Sequence, residues 1–177
     1  MDLLTAWLSE EISSANTVLD LCCGICNPLI INGALITCAS YLAVDVWMPY
    51  LNKIKNLTPT IQLDVSTELN RFPDKSFDVV LCLDGIEHFT ESVAGSTIIG
   101  MERIARKKVI IFTPDRFVPM EDGGAWGAGN PVYQSHKSFV PPAQLEARGY
   151  KIRVYLENLE KNSVIYNTYL AIKNFGL

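Results

Sequence analysis

The residues most capable of binding or catalysis are acids near the ends of apolar runs. In TVLDLCCGICN, residues 17–27, Asp20 ends an apolar run and the chain then turns at Gly24. Asn27 and Pro28 predict the start of a helix, because Asn favours the N-cap and Pro the first helical position. The segment therefore places a carboxylate and bare backbone at the carboxyl end of a strand, where open parallel sheets bind ligands.

The charge of this turn indicates the charge of the ligand. A dinucleotide-binding turn presents amides and a positive helix end to a pyrophosphate, which a carboxylate such as Asp20 would repel. We therefore expect a ligand that carries positive charge. S-adenosylmethionine meets this requirement, because it has an ammonium and a sulfonium group and no phosphate.

Further candidates for chemistry come later in the chain. Asp84 and His88 follow the fourth predicted strand, and His136 lies in a long loop. If the ligand is S-adenosylmethionine, transfer of its methyl group requires mainly that nucleophile and methyl group be held in line, which can supply up to about 7–11 kcal/mol. A base is needed only for a protonated nucleophile, and the candidates are these three side chains together with Tyr133 and Asp115. Glu87 can equally be an acid favoured by a helix dipole.

The cysteines support an alternative chemistry. Cys23 and Cys26 form a C-x-x-C at the predicted helix start, where a thiolate is stabilised and redox chemistry becomes feasible. The series of acids has no role in such a site. Zinc binding by Cys22 together with these two would need a fourth ligand, and the two-by-two spacing of structural zinc sites is absent, so we predict no metal site.

The elements that must position these residues alternate between strands and helices. Apolar runs predict strands at residues 18–21, 41–46, 60–63, 77–83, 107–112, 150–156 and 163–172. Helices are predicted at residues 1–13, 28–35, 49–56, 91–106 and 143–148. Asp45 lies at the end of the second strand, and Asp64 and Asp84 follow the third and fourth, so all three carboxylates are expected at one edge of a sheet.

One connection is long enough to suggest a function. Residues 113–142 are rich in glycine and proline, which indicates a functional loop, and we expect it to act as a substrate lid. Glycines at positions 123–129 provide the freedom to close. Asp115, Trp126 and Tyr133 are the residues that we expect to contact the substrate.

Composition predicts one soluble domain that spans residues 1–177. The chain is 49% hydrophobic and 19% charged, and a chain of this length buries about two thirds of its unfolded surface. The first twenty residues lack the basic region of a secretory signal, and no apolar run reaches the roughly 18–20 residues of a membrane span. We therefore expect a cytoplasmic protein with free thiols and no membrane partner.

Charge limits the classes of partner. A net charge of −4 argues against non-specific binding to nucleic acid. Four neighbouring cations are interpreted as complementing the dipole at a helix end: Arg103, Arg106, Lys107 and Lys108. Small molecules or proteins are the expected partners, and a homo-oligomer remains open.

Several segments follow one another in a characteristic order. They are VLDLCCGIC, YLAVDVW, IQLDVS and FPDKSFDVVLCLDGIEHF, followed by FTPDRF, GNPVYQSHKSF and LEARGY. From about Val18 to the C-terminus, they resemble the motifs of class I S-adenosylmethionine-dependent methyltransferases of the small-molecule type. The resemblance implies a Rossmann-like α/β fold, with a mostly parallel sheet of seven strands, an antiparallel last strand and helices on both faces.

The resemblance also implies how the first motifs bind the cofactor. Asp20 would contact the methionine ammonium, directly or through water. Gly24 and the backbone at Cys22 would let the chain approach the cofactor closely. Asp45 would accept both ribose hydroxyls, because one carboxylate has two acceptor oxygens.

The later motifs would hold the adenine and the methyl group. Val46 or Trp47 would pack on the adenine face. Asp64 would accept a hydrogen bond from the adenine amino group, and the amide of Val65 would face a ring nitrogen. Leu83 and the two residues after it would line the site beside the transferable methyl.

One departure from the family pattern concerns the first turn. The pattern is DxGxGxG, and here Cys22 and Cys26 replace the first and third glycines. A cysteine does not easily adopt a positive φ. We therefore expect either ordinary dihedral angles at these positions or weakened cofactor binding.

The sequence thus predicts a methyltransferase that acts on the oxygen, nitrogen or carbon of a small or medium metabolite. One alternative is a relative of the fold that binds the cofactor or a partner without turnover. The other is a C-x-x-C thiol-redox protein.

Overall fold

Seven strands of the described chain form a single sheet. This computed structural model describes residues 3–26, 38, 40–120 and 131–176. The strands are β1 (Thr17–Leu21), β2 (Ser40–Asp45), β3 (Thr60–Gln62), β4 (Phe77–Leu83), β5 (Ala105–Pro114), β6 (Lys151–Lys161) and β7 (Val164–Asn174). Their spatial order is β3-β2-β1-β4-β5-β7-β6. The strands β1 to β5 are parallel, and β7 is antiparallel to both β5 and β6. The predicted fold class is confirmed.

Helices cover both faces of this sheet. They are α1 (Leu3–Ile12), α2 (Met48–Ile54), α3 (Val65–Glu68), α4 (Glu91–Ile104), α5 (Pro131–Gln134) and α6 (Pro142–Ala147). Apolar residues of α1 and α2 pack on one face, and those of α3, α4 and α6 pack on the other. Two short 3-10 turns, Leu69–Arg71 and Ile86–His88, follow α3 and β4. None of the helices in the described ranges is long and apolar enough to cross a membrane.

The central strand β4 shows why the sheet is buried on both sides. Val80 and Cys82 belong to the core beside α4, whereas Val79 and Leu81 belong to the core beside α1. Successive side chains of a strand point to opposite faces. A strand that is covered on both faces must therefore be apolar throughout, as FDVVLCL nearly is.

Asp78, the charged residue in β4, shows that two cations of the cluster at residues 103–108 were misinterpreted. Asp78 is fully buried, and its two carboxylate oxygens pair with Arg106 at 2.8 Å and Lys107 at 3.1 Å. Helix α4 ends at Ile104 rather than at the predicted residue 106, and both cations lie in β5. These cations thus neutralise a buried carboxylate, which a helix-end assignment did not predict.

Most other boundaries differ by one or two residues, but β6 ends at Lys161 instead of residue 156 and occupies most of a predicted loop at residues 158–162. Strand β1 continues one residue beyond Asp20, so this acid lies within the sheet and not at its end. Strand β5 extends to Pro114, so the long connection begins two residues later than predicted. The predicted helix at residues 28–35 and the glycines at 123–129 lie outside the described residues.

Candidate active site

A cavity of about 360 Å³ opens at the carboxyl ends of the central strands. The turns after β1, β2 and β4 and the segment after α5 line it. Its lining includes six residues from the two ends of the cavity: Cys22, Asp45, Asp64, Leu83, His88 and His136. The first four belong to the end predicted to hold the cofactor, and the two histidines belong to the end predicted to hold the substrate.

The turn after β1 keeps a glycine-like backbone although two of its glycines are replaced. The φ angles are 56° at Cys22, 54° at Gly24 and 55° at Cys26. Of the two alternatives, ordinary dihedral angles at the cysteines are therefore excluded, and weakened cofactor binding stays a prediction. The left-handed conformation costs an L-residue roughly 1–2 kcal/mol, so neighbouring contacts must stabilise it. The amide of Cys23 donates to the carbonyl of Val44 at 3.0 Å and supplies one such contact.

A glycine on the neighbouring turn makes room for the first of these cysteines. A Cβ at Gly85 would lie 2.7 Å from the Cβ of Cys22 and 3.1 Å from the Sγ of Cys82. Real side chains do not approach that closely, so the turn after β4 must have glycine here. Sequence reasoning missed this relationship, because it links two residues that are 63 positions apart in the chain.

Asp45 is held at the cavity by two backbone amides. Its Oδ2 accepts from the amide of Gly24 at 2.9 Å, and its Oδ1 accepts from the amide of Trp47 at 2.8 Å. Burial raises the pKa of this carboxyl, although both backbone hydrogen bonds oppose the shift. Each oxygen has a further lone pair, so the carboxylate can still accept hydrogen bonds from a ligand with two hydroxyls.

Asp64 occupies the N-cap of α3 and also lines the cavity. Its Oδ1 accepts from the amide of Ser66 at 2.9 Å and from the Ser66 hydroxyl at 2.6 Å. The carboxylate of Glu68 reaches back to the amide of Asp64 at 3.0 Å, which completes a reciprocal cap. The cap therefore holds the Asp64 side chain at the cavity, which the neighbouring Val65 also lines.

Asp20 lies behind the turn instead of in front of it. Its side chain is buried, it accepts a hydrogen bond from the hydroxyl of Tyr41, and it is absent from the described lining of the cavity. Burial raises the pKa of Asp20 to about 7, against the opposing hydrogen bond from Tyr41. Its other oxygen, Oδ1, has no hydrogen-bond partner among the residues that the structure describes.

The two residues predicted to pack on the adenine face differ in their position relative to the cavity. Val46 lines the cavity, whereas Trp47 is absent from its described lining. The Trp47 ring lies 6.1 Å from the ring of Tyr133, at an angle of 50° between their planes. Tyr133 lines the cavity itself, so this aromatic pair brings α5 to the turn after β2.

At the opposite end of the cavity, two imidazoles face each other. The ring centroids of His88 and His136 lie 5.0 Å apart, with their planes at 68°. The Nδ1 of His88 lies 3.3 Å from the carbonyl of Ser135. Burial lowers the pKa of His88. Burial, followed by the charge of His88, lowers the pKa of His136 to about 4, so the His136 ring is neutral near pH 7.

Two acids accompany the imidazoles. Asp84 is exposed, has a φ of 56° and lines the cavity. Glu87 is only 1% exposed, its Oε2 accepts from the hydroxyl of Thr113 at 3.0 Å, and no donor among the described residues reaches its Oε1, which leaves the Asp84 side chain as the neighbouring polar group. Burial and then the charge of Asp84 raise the pKa of Glu87. Glu87 was predicted to be an acid favoured by a helix dipole. The sequence signal for a role at this site was its position directly before His88.

The remaining substrate candidates lie in different places. Asp115 is absent from the described cavity lining, and its carboxylate instead holds Asn167 of β7 through the Asn167 amide at 3.0 Å. Burial acts to raise the pKa of Asp115, but hydrogen bonds from Arg116 and Asn167 outweigh it and lower that pKa. Trp126 lies outside the described residues.

The C-x-x-C pair has the properties of packed thiols. Cys23 and Cys26 are 8% and 2% exposed. A hydrogen bond with Cys26 and burial both raise the pKa of Cys23. Redox cysteines need a stabilised thiolate, so this environment disfavours the thiol-redox alternative.

The strand order and the acids at the carboxyl ends of β2 and β3 define a Rossmann-like ligand-binding domain. A family model described as "Methyltransferase domain" matches residues 19–112, which is more than half of the chain. No curated protein matches the chain in a sequence search. The chain belongs to this methyltransferase family, and S-adenosylmethionine is its cofactor.

Solved structures agree on the fold. A SAM-dependent methyltransferase from Archaeoglobus fulgidus superposes with a TM-score of 0.66 at 15% identity, over 98% of this chain and 93% of that chain. Magnesium protoporphyrin IX methyltransferase from Synechocystis PCC 6803, with bound SAM, gives 0.61 at 16% identity, over 96% and 76%. The [4+2]-cyclase SpnF gives 0.68 at 13% identity, over 97% and 79%. The fold therefore occurs with more than one chemistry.

The residues at the cavity fit S-adenosylmethionine. Its ribose hydroxyls and adenine amino group are hydrogen-bond donors, and Asp45 and Asp64 offer carboxylate acceptors. A Cβ at Gly24 would meet no atom within 4 Å, so open space adjoins the turn there. The cavity volume of about 360 Å³ also lies within the range of about 300–1,000 Å³ for small-molecule sites.

Proposed function

We propose that this methyltransferase acts on a small or medium metabolite and transfers the methyl group to an oxygen, nitrogen or carbon atom. The observation that carries the proposal is the polarity of one cavity. Carboxylates that can accept from the cofactor, Asp45 and Asp64, line one end, and the imidazoles of His88 and His136 line the other. An acceptor molecule that enters between these ends meets both the cofactor and groups that can take a proton.

On the cofactor side, the protein contributes positioning. Asp45 takes the ribose hydroxyls, since the amides of Gly24 and Trp47 already fix its orientation. Asp64 and the amide of Val65 take the adenine edge. Asp20 supports the turn from behind through Tyr41 and acts on the ammonium at longer range or through water. When bound there, the cofactor supplies an electrophilic methyl group on a cationic sulfur.

On the acceptor side, the protein contributes alignment and proton acceptance. Because the His136 ring is neutral near pH 7, it has a lone pair that can accept a proton from a hydroxyl or an amine. His88 and Asp84 line the same end and are the other candidates for this role. Leu83 and Phe89 add apolar surface beside them, which limits water at the reacting atoms.

The segment 113–142 supplies the wall through which the acceptor is recognised. Among its described residues, Met120, Tyr133, Gln134, His136 and Lys137 line the cavity. The wall thus combines apolar, aromatic and cationic groups. Such a mixture suits a metabolite of modest size with a polar substituent.

Calorimetry and a transfer assay test this function. We expect both S-adenosylmethionine and its demethylated product to bind one site per chain. We then expect label from methyl-labelled cofactor to appear in a component of a metabolite mixture. Binding without transfer to any component would support the alternative of a non-catalytic relative, and failure to bind either molecule would refute the proposal.

A further inference from the structure

Three side chains with metal-binding atoms meet at the acceptor end of the cavity. A carboxylate oxygen of Glu87 and one ring nitrogen each from His88 and His136 all lie within 4.8 Å of one another. The first two residues belong to the 3-10 turn after β4, and the third follows α5. The fold therefore brings together two imidazoles and one carboxylate, which is a common ligand set for first-row transition metals.

The carboxyl group in this cluster has another carboxyl group as its neighbour. Glu87 is 1% exposed, its Oε2 accepts from the hydroxyl of Thr113, and no donor among the described residues reaches its Oε1. The Glu87 carboxyl also lies within hydrogen-bond reach of the Asp84 side chain. Two neighbouring acids must share either a proton or a cation, because a buried pair of negative charges is costly. A bound cation at the shared position would serve Glu87 in place of that proton.

Both imidazoles are held in the way that metal-binding histidines are held. The Nδ1 of His88 lies 3.3 Å from the carbonyl of Ser135. A hydrogen bond to the backbone of Val118 engages the ring of His136. In metal sites, the second ring nitrogen of a ligating histidine usually donates to a carbonyl or carboxylate, which fixes the tautomer and leaves the first nitrogen for the metal.

The dimensions also suit an ion of this kind. Ligand atoms about 2.0–2.2 Å from a Zn²⁺ ion can lie at most about 4.4 Å apart. The observed limit of 4.8 Å between ligand atoms requires only small side-chain movements to close around an ion. Exposed Asp84 lines the same end of the cavity, and its negative charge acts on both His88 and His136, whereas Lys137 opposes it at His88 and Lys161 opposes it at His136.

We propose that Glu87, His88 and His136 bind one divalent first-row transition-metal ion, and that the methyl acceptor coordinates it through a hydroxyl oxygen. The donor set favours Mn²⁺, Fe²⁺, Co²⁺ or Zn²⁺ over Mg²⁺ and Ca²⁺, which prefer oxygen ligands alone. Three protein ligands leave open positions for the acceptor. The site does not use the cysteines, from whose spacing the sequence analysis predicted no metal.

The second half of this proposal rests on the proposed methyl transfer. A cation polarises a coordinated hydroxyl and eases loss of its proton, which passes to the exposed carboxylate of Asp84. The oxygen then forms a bond to the methyl carbon while the carbon–sulfur bond breaks. The electron pair of that bond stays on sulfur, which becomes a neutral thioether. The imidazoles then act as ligands, and the acceptor is an alcohol or a phenol.

Metal binding can be measured without any knowledge of the substrate. Protein freed of metal with a chelator is titrated with Mn²⁺ while the electron paramagnetic resonance signal of free Mn²⁺ is followed, and with Co²⁺ while visible absorption is followed. We expect one ion per chain and a Co²⁺ spectrum typical of nitrogen and oxygen ligands. Absence of stoichiometric binding of both ions to the wild-type protein would overturn the proposal.

Variants test which residues hold the ion. Glu87→Gln keeps the size of the side chain, and His136→Asn removes an imidazole from a half-buried position, so at least one of the two is expected to fold. Loss of a ligand should weaken Mn²⁺ binding by at least about 100-fold, since changes to outer-shell partners alone cost about 10–100-fold. Glu91→Gln removes an exposed carboxylate at the start of α4 and should bind Mn²⁺ like the wild type. Unchanged Mn²⁺ affinity in a folded ligand variant would refute the assignment.

Two further readouts separate this proposal from the proposed function. If chelated protein still transfers methyl groups at the wild-type rate, the methyltransferase function stands and the role of the metal falls. If Mn²⁺ binds through these residues but calorimetry detects no binding of S-adenosylmethionine, the metal site stands and the proposed function falls.

Discussion

The two ends of the cavity are built in different ways. At the cofactor end, the turn after β1 is tied to the neighbouring strand, because Cys23 bonds to the carbonyl of Val44 and Gly24 bonds to the side chain of Asp45. At the acceptor end, the carbonyl of Glu87 accepts from the amides of Lys137 at 2.9 Å and Ser138 at 3.2 Å. One end is therefore held by adjacent parallel strands, and the other by contacts between a turn and a distant segment.

This difference indicates how domains of this fold can bind one cofactor while they differ in substrate. The pairings of β1 with β2 and β4, and of β2 with β3, position the residues at the cofactor end, so that end follows directly from the sheet. The acceptor end depends also on residues 131–138, which lie outside the strands. Substitutions at the two ends should consequently separate cofactor affinity from turnover.

The largest effect should come from the acceptor end. His136→Ala removes an imidazole that either accepts a proton or binds the proposed ion, and proton acceptance alone typically contributes about 10²–10⁴-fold to rate. We expect turnover to fall by at least about 100-fold, while calorimetric affinity for S-adenosylmethionine changes less than about threefold. A variant that loses cofactor affinity and keeps its turnover would reverse the roles of the two ends.

At the cofactor end, Asp45→Ala should weaken cofactor binding by about 1.5–3 kcal/mol, the scale for a hydrogen bond to a charged group. This energy corresponds to roughly 10- to 150-fold in affinity. Asp74→Ala, which removes an exposed aspartate, serves as the control and should bind like the wild type. Equal affinities of folded Asp45→Ala and wild type would exclude Asp45 from the ribose site.

The contact between the two turns gives a third test. Gly85→Ala would place a Cβ 2.7 Å from the Cβ of Cys22, and overpacking of this kind costs about 1–3 kcal/mol. We expect urea denaturation to show that loss in the free energy of unfolding. Adding Cys22→Gly should recover most of the lost free energy of unfolding, because this substitution removes the Cβ of Cys22, which is the nearest atom. If the second substitution recovers nothing, the loss has another origin.

A fourth test concerns the buried acid behind the cofactor turn. The folded pKa of Asp20, about 7, lies above the ordinary value of 3.8, so the folded protein holds this proton more tightly than the unfolded chain does. This contribution to stability is complete below about pH 4 and is lost as the pH rises towards 7, with a slope of at most about 1.4 kcal/mol per pH unit.

Replacing that acid should flatten this part of the profile. Asp20→Asn cannot ionise, so urea denaturation between pH 4 and 7 should show less loss of stability for the variant than for the wild type. Cofactor affinity should change less than in Asp45→Ala, because Asp20 stands outside the described cavity lining. Parallel stability profiles of variant and wild type would show that Asp20 titrates normally.

Local pattern predicted most of the fold. Strand β4 was placed at its observed bounds, since a seven-residue apolar run between a turn and an acid has few other interpretations. Helix α4 was predicted two residues too long, because Ala105 and Arg106 suit a helix as well as a strand and only pairing with β4 decides between them. The burial of Asp20 was missed for a similar reason, since its partner Tyr41 comes from β2.

The sequence by itself determined the elements, their alternation and the acids near the ends of β2 and β3, because these follow from periodicity and turn chemistry over a few residues. Only the tertiary structure decided that Glu87 and His88 meet His136, that Gly85 makes room for Cys22, and that Asp20 lies behind the turn. The physical reason is distance along the chain. The segments of His88 and Ser135 are 47 positions apart, and nothing local indicates which distant group will fill the space beside a given side chain.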